Sequence, residues 1–275
     1  MMGHVSELAI SGIAFSAIIS IGLPVVLLIL VKKRLGAKAG AAGIGALTFV
    51  LFALVLEQIL HVVMLRSAGD ILNRNVWIYA VYGGLAAAVF EETGRFVAMK
   101  FWMKKTLSKE NSLMYGVGHG GIESMLIVGF TCIGNLITAV MINSGQIEAM
   151  MATVEDGTGK ELALQAYSAL WTTPGYQFYL AGVERISAIA LQIGLSYLVY
   201  RAVRYGEKKF FTAALGIHFL VDAVTILLSN YMNVVVLEIV LLVLVAALLV
   251  WVKRLYGEEE NGAKEKLFPC KVERM

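Results

Sequence analysis

Long apolar stretches alternate along this chain with short polar segments, most of them basic. Seven stretches are long enough to cross about 30 Å of hydrocarbon at roughly 1.5 Å per residue, near 7–31, 40–65, 76–101, 112–142, 175–200, 210–231 and 233–252. None shows the strict two-residue alternation of a barrel strand, and in lipid an open chain satisfies its backbone only as helix. The pattern predicts an all-α polytopic membrane protein, a bundle of about seven transmembrane helices forming one integral domain over 1–275.

Lys and Arg divide between the two ends of these spans. Lys32, Lys33, Arg34 and Lys38 follow the first span; Lys100, Lys104, Lys105 and Lys109 follow the third. Arg201, Arg204, Lys208 and Lys209 follow the fifth, and Lys253, Arg254, Lys264, Lys266, Lys271 and Arg274 follow the seventh, so 18 of the 23 basic residues share one side. Arg66, Arg74 and Lys160 fall on the other. The positive-inside rule predicts an outer N-terminus, an outer loop at 143–174 and a cytoplasmic tail at 256–275. The first seven residues lack a basic n-region, so the first span reads as a retained helix rather than a signal peptide. In the outer loop, after an Asp-Gly-Thr-Gly turn at 156–159, Leu162, Ala163, Ala166, Tyr167 and Leu170 have helical spacing, which predicts a helix lying along the membrane surface.

Composition sharpens the picture. The chain is 59% hydrophobic and 16% charged, against about 45–50% and roughly 25% for a soluble domain. A water-soluble enzyme is excluded, as are disordered, collagenous and disulfide-rich secreted chains. A net charge of +3 does not point to nucleic acid, and no nucleotide-binding fingerprint is visible. Cys132 lies in a span and Cys270 in the tail, leaving no plausible disulfide and too few thiols for a zinc-thiolate site.

Against this apolar background, the ionisable residues inside spans stand out. Each costs about 2.5–3.5 kcal/mol mid-membrane on insertion scales. Span three carries Glu91, Glu92 and Arg95, span four His119 and Glu123, and span six His218 and Asp222. Counted from the basic end, Glu92, His119 and His218 all fall roughly 10–14 Å deep, so three helices bring polar groups to one level. His119 and Glu123, like His218 and Asp222, are four apart and share a helix face. Arg95 can neutralise one of the adjacent glutamates, leaving the other for general-base work on water. The two imidazoles suit carbonyl polarisation, oxyanion stabilisation or metal binding. Gly116, Gly118, Gly120 and Gly121 around His119, with Gly83 and Gly84, predict either close helix packing or room for a substrate chain. Glu184 and Arg185 in span five count nearer the outer face, with Glu57, His61 and Glu238 at similar depth. They are predicted to form a structural polar pair apart from the histidine level, with Arg185 bound to one of those acids.

These motifs, Glu91-Glu92-x-x-Arg95, His119-x-x-x-Glu123 and His218-x-x-x-Asp222, resemble those of the YhfC family of intramembrane metalloproteases. That family sits in a wider set with the CAAX-processing (ABI/CPBP) proteases, the PrsW proteases and the non-catalytic APH scaffold of gamma-secretase. The resemblance covers spans three to six, with core motifs within 76–231. The CAAX-processing relatives usually show Glu-Glu-x-x-x-Arg and a second motif Phe-x-x-x-His. The shorter acidic spacer and the Glu123 ending here are closer to the PrsW pattern. The resemblance implies an intramembrane endopeptidase of glutamic or metallo type acting on a membrane protein or lipidated peptide in the plasma membrane of a prokaryote. It implies Glu91 or Glu92 as general base with Arg95 its partner. His119 and His218 become oxyanion stabilisers or metal ligands, with Glu123 and Asp222 completing the set and Zn2+ the candidate cofactor. The cavity is expected to open toward the cytoplasmic half. A non-catalytic scaffold and a proton-coupled transporter are the rival readings.

Overall fold

The computed structural model describes residues 3–155 and 157–267, with side chains described to residue 261. Asp156 of the expected turn and 268–275 of the expected tail, with Cys270, Lys271 and Arg274, lie outside the described residues. So do the side chains of Lys264 and Lys266.

Nine helices run through the described residues. Helix α1 is Glu7–Leu35, capped by Ser6 and ended by left-handed Gly36. Helix α2, Ala39–Arg74, contains a π-helical stretch at Val50–Glu57. Helix α3 runs over 76–102, from its Asn75 cap to a π turn at Ala98–Trp102. Helix α4, Lys109–Asn143, is capped by Ser108 and has a π turn at Met125–Gly129. Two short helices follow, α5 at Gln146–Thr153 and α6 at Thr158–Thr172. The chain then forms α7, Gly175–Tyr205, α8, Lys208–Ser229, and α9, Val234–Leu267. No strand occurs among the described residues.

Six of these helices, α1, α2, α4, α7, α8 and α9, are long and apolar enough to cross a membrane. Helix α3 has comparable length but falls outside that set, because Glu91, Glu92 and Arg95 dilute its hydropathy. The very residues that make it interesting lower its membrane signal. Several helices overrun the expected spans. Helix α9 continues well past residue 252 through a charged Glu- and Lys-containing stretch that favours helix without needing lipid.

Helix α7 is central: 67% of its most apolar stretch is buried, against 22–33% for the other five. Glycines let the helices approach closely, α4 reaching α7 at Gly116, where a Cβ would lie 2.6 Å from Ile193 Cα. A Cβ at Gly118 would lie 2.0 Å from the carbonyl oxygen of Ala42, and one at Gly45 would lie 2.2 Å from that of Tyr115, so α2 and α4 touch backbone to backbone. Two apolar cores result. One, around Met103, Tyr115, Leu195 and Leu198, fills the basic end; the other, around Val5, Ile13, Ala139 and Leu170, fills the opposite end.

Segment 143–174 is more structured than a surface loop. Its helix α6 turns Ala163, Leu164, Tyr167, Leu170 and Trp171 onto α1 and α4, while Leu162 points outward. Asn143 clamps the N-terminal segment here, accepting from Val5 N at 2.8 Å and donating to Val5 O at 2.9 Å. The predicted surface helix is therefore a cap on the bundle, because half of its apolar face finds protein to bury against.

Candidate active site

Four helices meet in a polar layer between the two cores. From α3, Glu91 and Glu92 diverge by the helical rotation between neighbours, so each serves a different helix. Glu92 turns to α8, where its Oε1 lies 2.8 Å from His218 Nδ1, and its Oε2 lies 3.2 Å from Arg95 Nε. Glu91 turns to α4 and α7: its Oε2 is 2.8 Å from His119 Nε2 and accepts from Gln192 Nε2 at 2.9 Å. Every hydrogen bond of Glu91 among the described residues runs to Oε2, which leaves Oε1 for the cavity described below.

Arg95 is wholly buried and needs both a counter-charge and acceptors. Glu92 supplies the first. Helix α7 supplies the rest: Arg95 Nη1 donates to the Gln192 carbonyl at 2.8 Å and to Ser196 Oγ at 2.7 Å, while Nη2 donates to Gln192 Oε1. That bond fixes the Gln192 amide so that its Nε2 faces both Glu91 and Glu123, the latter at 3.0 Å. His119 is wholly buried against the Phe49 ring; among the described residues its Nδ1 has no hydrogen-bond partner, so its polar contact is made through Nε2. Beyond Glu91, His218 Nε2 is 3.5 Å from Asp222 Oδ2 and 3.9 Å from Glu91 Oε2.

All seven motif residues are thus brought together, in two halves. Glu92, Arg95, His218 and Asp222 form one chain of contacts. Glu91, His119 and Glu123 form the other, each offering a ligand atom within 4.8 Å of the others. This differs from the expected quartet of His119, Glu123, His218 and Asp222: Glu91 joins the cluster, while His218 and Asp222 stand on the far side of it. One histidine and two carboxylates are a donor set suited to zinc with an open position. The residues fit a metal ion.

A cavity of about 130 Å³ opens beside the cluster, room for several waters. Its polar wall includes Glu91, Glu123, Arg185, Gln192, His218 and Asp222, and its apolar wall Leu191, Val221, Leu241 and Val245. Glu92 is not part of the wall. The cavity reaches Glu184 and Ser187 on α7 and Thr225 on α8, and so extends away from the basic end. The expected opening toward the basic half is closed, because the core around Tyr115, Leu195 and Leu198 fills that side. The glycines of α4 do not line the cavity either; Gly116, Gly120 and Gly121 are filled against Ile193, Gln192 and Pro24, so close packing is their use.

Glu184 and Arg185 form the expected pair, but not a separate group. Arg185 Nη2 bonds Glu184 and Nη1 reaches Glu123 Oε1 at 3.4 Å, which joins α7 to the cluster. None of Glu57, His61 or Glu238 takes Arg185 as its hydrogen-bond partner; His61 instead bridges Glu57 at 3.2 Å and Tyr82 at 2.6 Å. Gln192 and Ser196 were absent from the expected set. Their signal was present, since Arg185, Gln192 and Ser196 recur at helical spacing on one face of a mostly apolar span.

Fold and site define a multi-pass integral membrane protein with a buried acid–imidazole centre. The chain belongs to the YhfC intramembrane metalloprotease family, whose model matches residues 19–250. It is 36% identical over 253 residues to "Uncharacterized membrane protein YhfC" of Bacillus subtilis (strain 168), covering 90% of this chain and 96% of that protein. No solved structure matches it.

Proposed function

We propose that the protein hydrolyses a peptide bond of a membrane-associated substrate, a membrane protein or lipidated peptide, with water activated inside the bundle. The observation that carries this reading is the exposure of Glu91, Glu123, His218 and Asp222 to one cavity while Glu92 and Arg95 stay behind them.

The two halves of the layer then divide the work. Glu91, His119 and Glu123 would hold a divalent cation. Such an ion polarises a carbonyl and makes water a better nucleophile at neutral pH. Gln192 aligns the two carboxylates and takes its own orientation from Arg95. Glu91 Oε1 accepts the proton as the water oxygen bonds to the carbonyl carbon. His218, held by Glu92 through Nδ1, presents Nε2 to the cavity, where it stabilises the oxyanion and protonates the leaving nitrogen as the C–N bond breaks. Asp222 keeps that ring turned. The Glu92–Arg95 pair acts as the staple that fixes these angles.

The test is cleavage of a membrane-anchored peptide library by the purified protein in liposomes, read by mass spectrometry. Wild type is expected to cleave, and His218→Ala to be slower by about 10²-fold with unchanged helical content. A variant that folds and cleaves at the wild-type rate would remove the role given to His218.

The excess of Lys and Arg at one end supports an outer N-terminus and a cytoplasmic C-terminus, in the plasma membrane of a prokaryote. A phosphatase reporter fused to the C-terminus is then expected to be inactive and a cytoplasm-dependent reporter active; the reverse pattern contradicts the orientation.

A further inference from the structure

A second cavity, of about 500 Å³, lies at the basic end, beginning on α3 at Phe96, next to Arg95, and on α8 at Phe211, seven residues before His218, and extending from there away from the polar layer. Its walls are Phe96 and Lys100 of α3, Val203 of α7, and Lys208, Phe211 and Thr212 of α8. The floor is apolar, with Phe96 and Phe211 meeting edge to face at 5.2 Å. The rim is cationic. Lys100 Nζ sits 5.2 Å from the Phe96 ring centroid and 5.6 Å from that of Phe101, and among the described residues neither Lys100 nor Lys208 has an ion pair. The nearby acid, Glu207, is already engaged by Arg201 at 3.0 Å.

The position of this cavity along the bundle narrows the occupant. Phe101 and Trp102, 61% and 44% exposed, end α3 beside the rim, and exposed aromatics at a span end mark the depth of lipid headgroups. Two unpaired ammonium groups at headgroup depth, above an aromatic floor, complement an amphiphile with an anionic head and an alkyl tail. The start of α8 at Lys208 adds the positive end of a helix dipole to the same rim, where the Glu207 side chain makes no capping bond. A free phosphate ion satisfies the lysines but leaves the aromatic floor wet. A zwitterionic lipid covers the floor but brings its own cation to the lysines.

From this arrangement we infer a binding site for one anionic phospholipid, its phosphate between Lys100 and Lys208 and an acyl chain on the Phe96–Phe211 floor. The site is independent of the proposed catalysis. It is a basic pocket between helices of the kind that holds anionic headgroups.

The test is native mass spectrometry of the full-length protein in detergent, titrated separately with phosphatidylglycerol, phosphatidylcholine and inorganic phosphate. A saturable phosphatidylglycerol adduct is expected, with phosphatidylcholine at least about tenfold weaker and phosphate not retained. The double variant Lys100→Gln/Lys208→Gln is expected to bind phosphatidylglycerol about 20-fold less tightly, whereas Lys104→Gln/Lys105→Gln, changing lysines at the same end that do not line the cavity, binds as wild type. Equal binding of the two lipids, retention of phosphate alone, or an unaltered affinity in the Lys100/Lys208 variant would each overturn the inference.

Discussion

Glu91→Gln is expected to lower peptide hydrolysis by about 10⁴-fold, the upper end for loss of a general acid or base, in a protein that still folds. The substitution is nearly isosteric. It keeps an oxygen for the Gln192 amide to donate to, so the α3–α7 contact survives. It removes the charge that completes the candidate Glu91, His119 and Glu123 donor set, and with it the proposed base facing the cavity. Two functions disappear in one change, which is why the effect should exceed that of His218→Ala. The measurement is the rate of cleavage of a confirmed peptide in liposomes, beside a circular dichroism spectrum and a size-exclusion profile. Full activity in a well-folded Glu91→Gln protein would mean that Glu91 is neither base nor ligand.

Arg95→Met should act on stability instead. The change leaves Glu92 buried without its counter-charge, and leaves the Gln192 carbonyl, Gln192 Oε1 and Ser196 Oγ without their donor. Removing one partner of a buried ion pair costs about 3–5 kcal/mol, a large share of the stability of a typical domain. The variant is expected to melt well below wild type in detergent or fail to accumulate. Adding Glu92→Gln removes the stranded charge, and the double variant should recover part of the loss. An Arg95→Met protein that melts like wild type would show that the staple carries no weight.

Much of this site was legible before any coordinates, and the parts that were not share a cause. Counting residues from a span end gives depth along a helix axis, and depth alone brought Glu92, His119 and His218 to one level. Rotation about the axis is set by packing. Hence the sequence left the adjacent glutamates equivalent, whereas in the fold Glu91 faces α4 and Glu92 faces α8. The candidate ligand cluster had the same limitation: His119 and Glu123 lie on one face of α4, but Glu91, which completes the cluster, comes from α3. Arg185 was set apart because depth counting follows the backbone alone, whereas the reach of its side chain carries the guanidinium to Glu123. Gln192 was overlooked because an amide bears no charge, although it contacts more of the site than any ionised residue on α7. The seven long helices were readable from apolar runs, α3 among them although its site residues reduce its hydropathy, whereas the short α5 carried no such run.

The claim beneath all of this is that Glu91, His119 and Glu123 converge on a single cation. Elemental analysis of the purified full-length protein, dialysed after exposure to zinc, addresses it directly. About one equivalent per chain is expected in wild type, with a loss to background in His119→Ala and in Glu123→Ala at unchanged helical content. No bound metal in wild type, or a full equivalent retained in both variants, would contradict it.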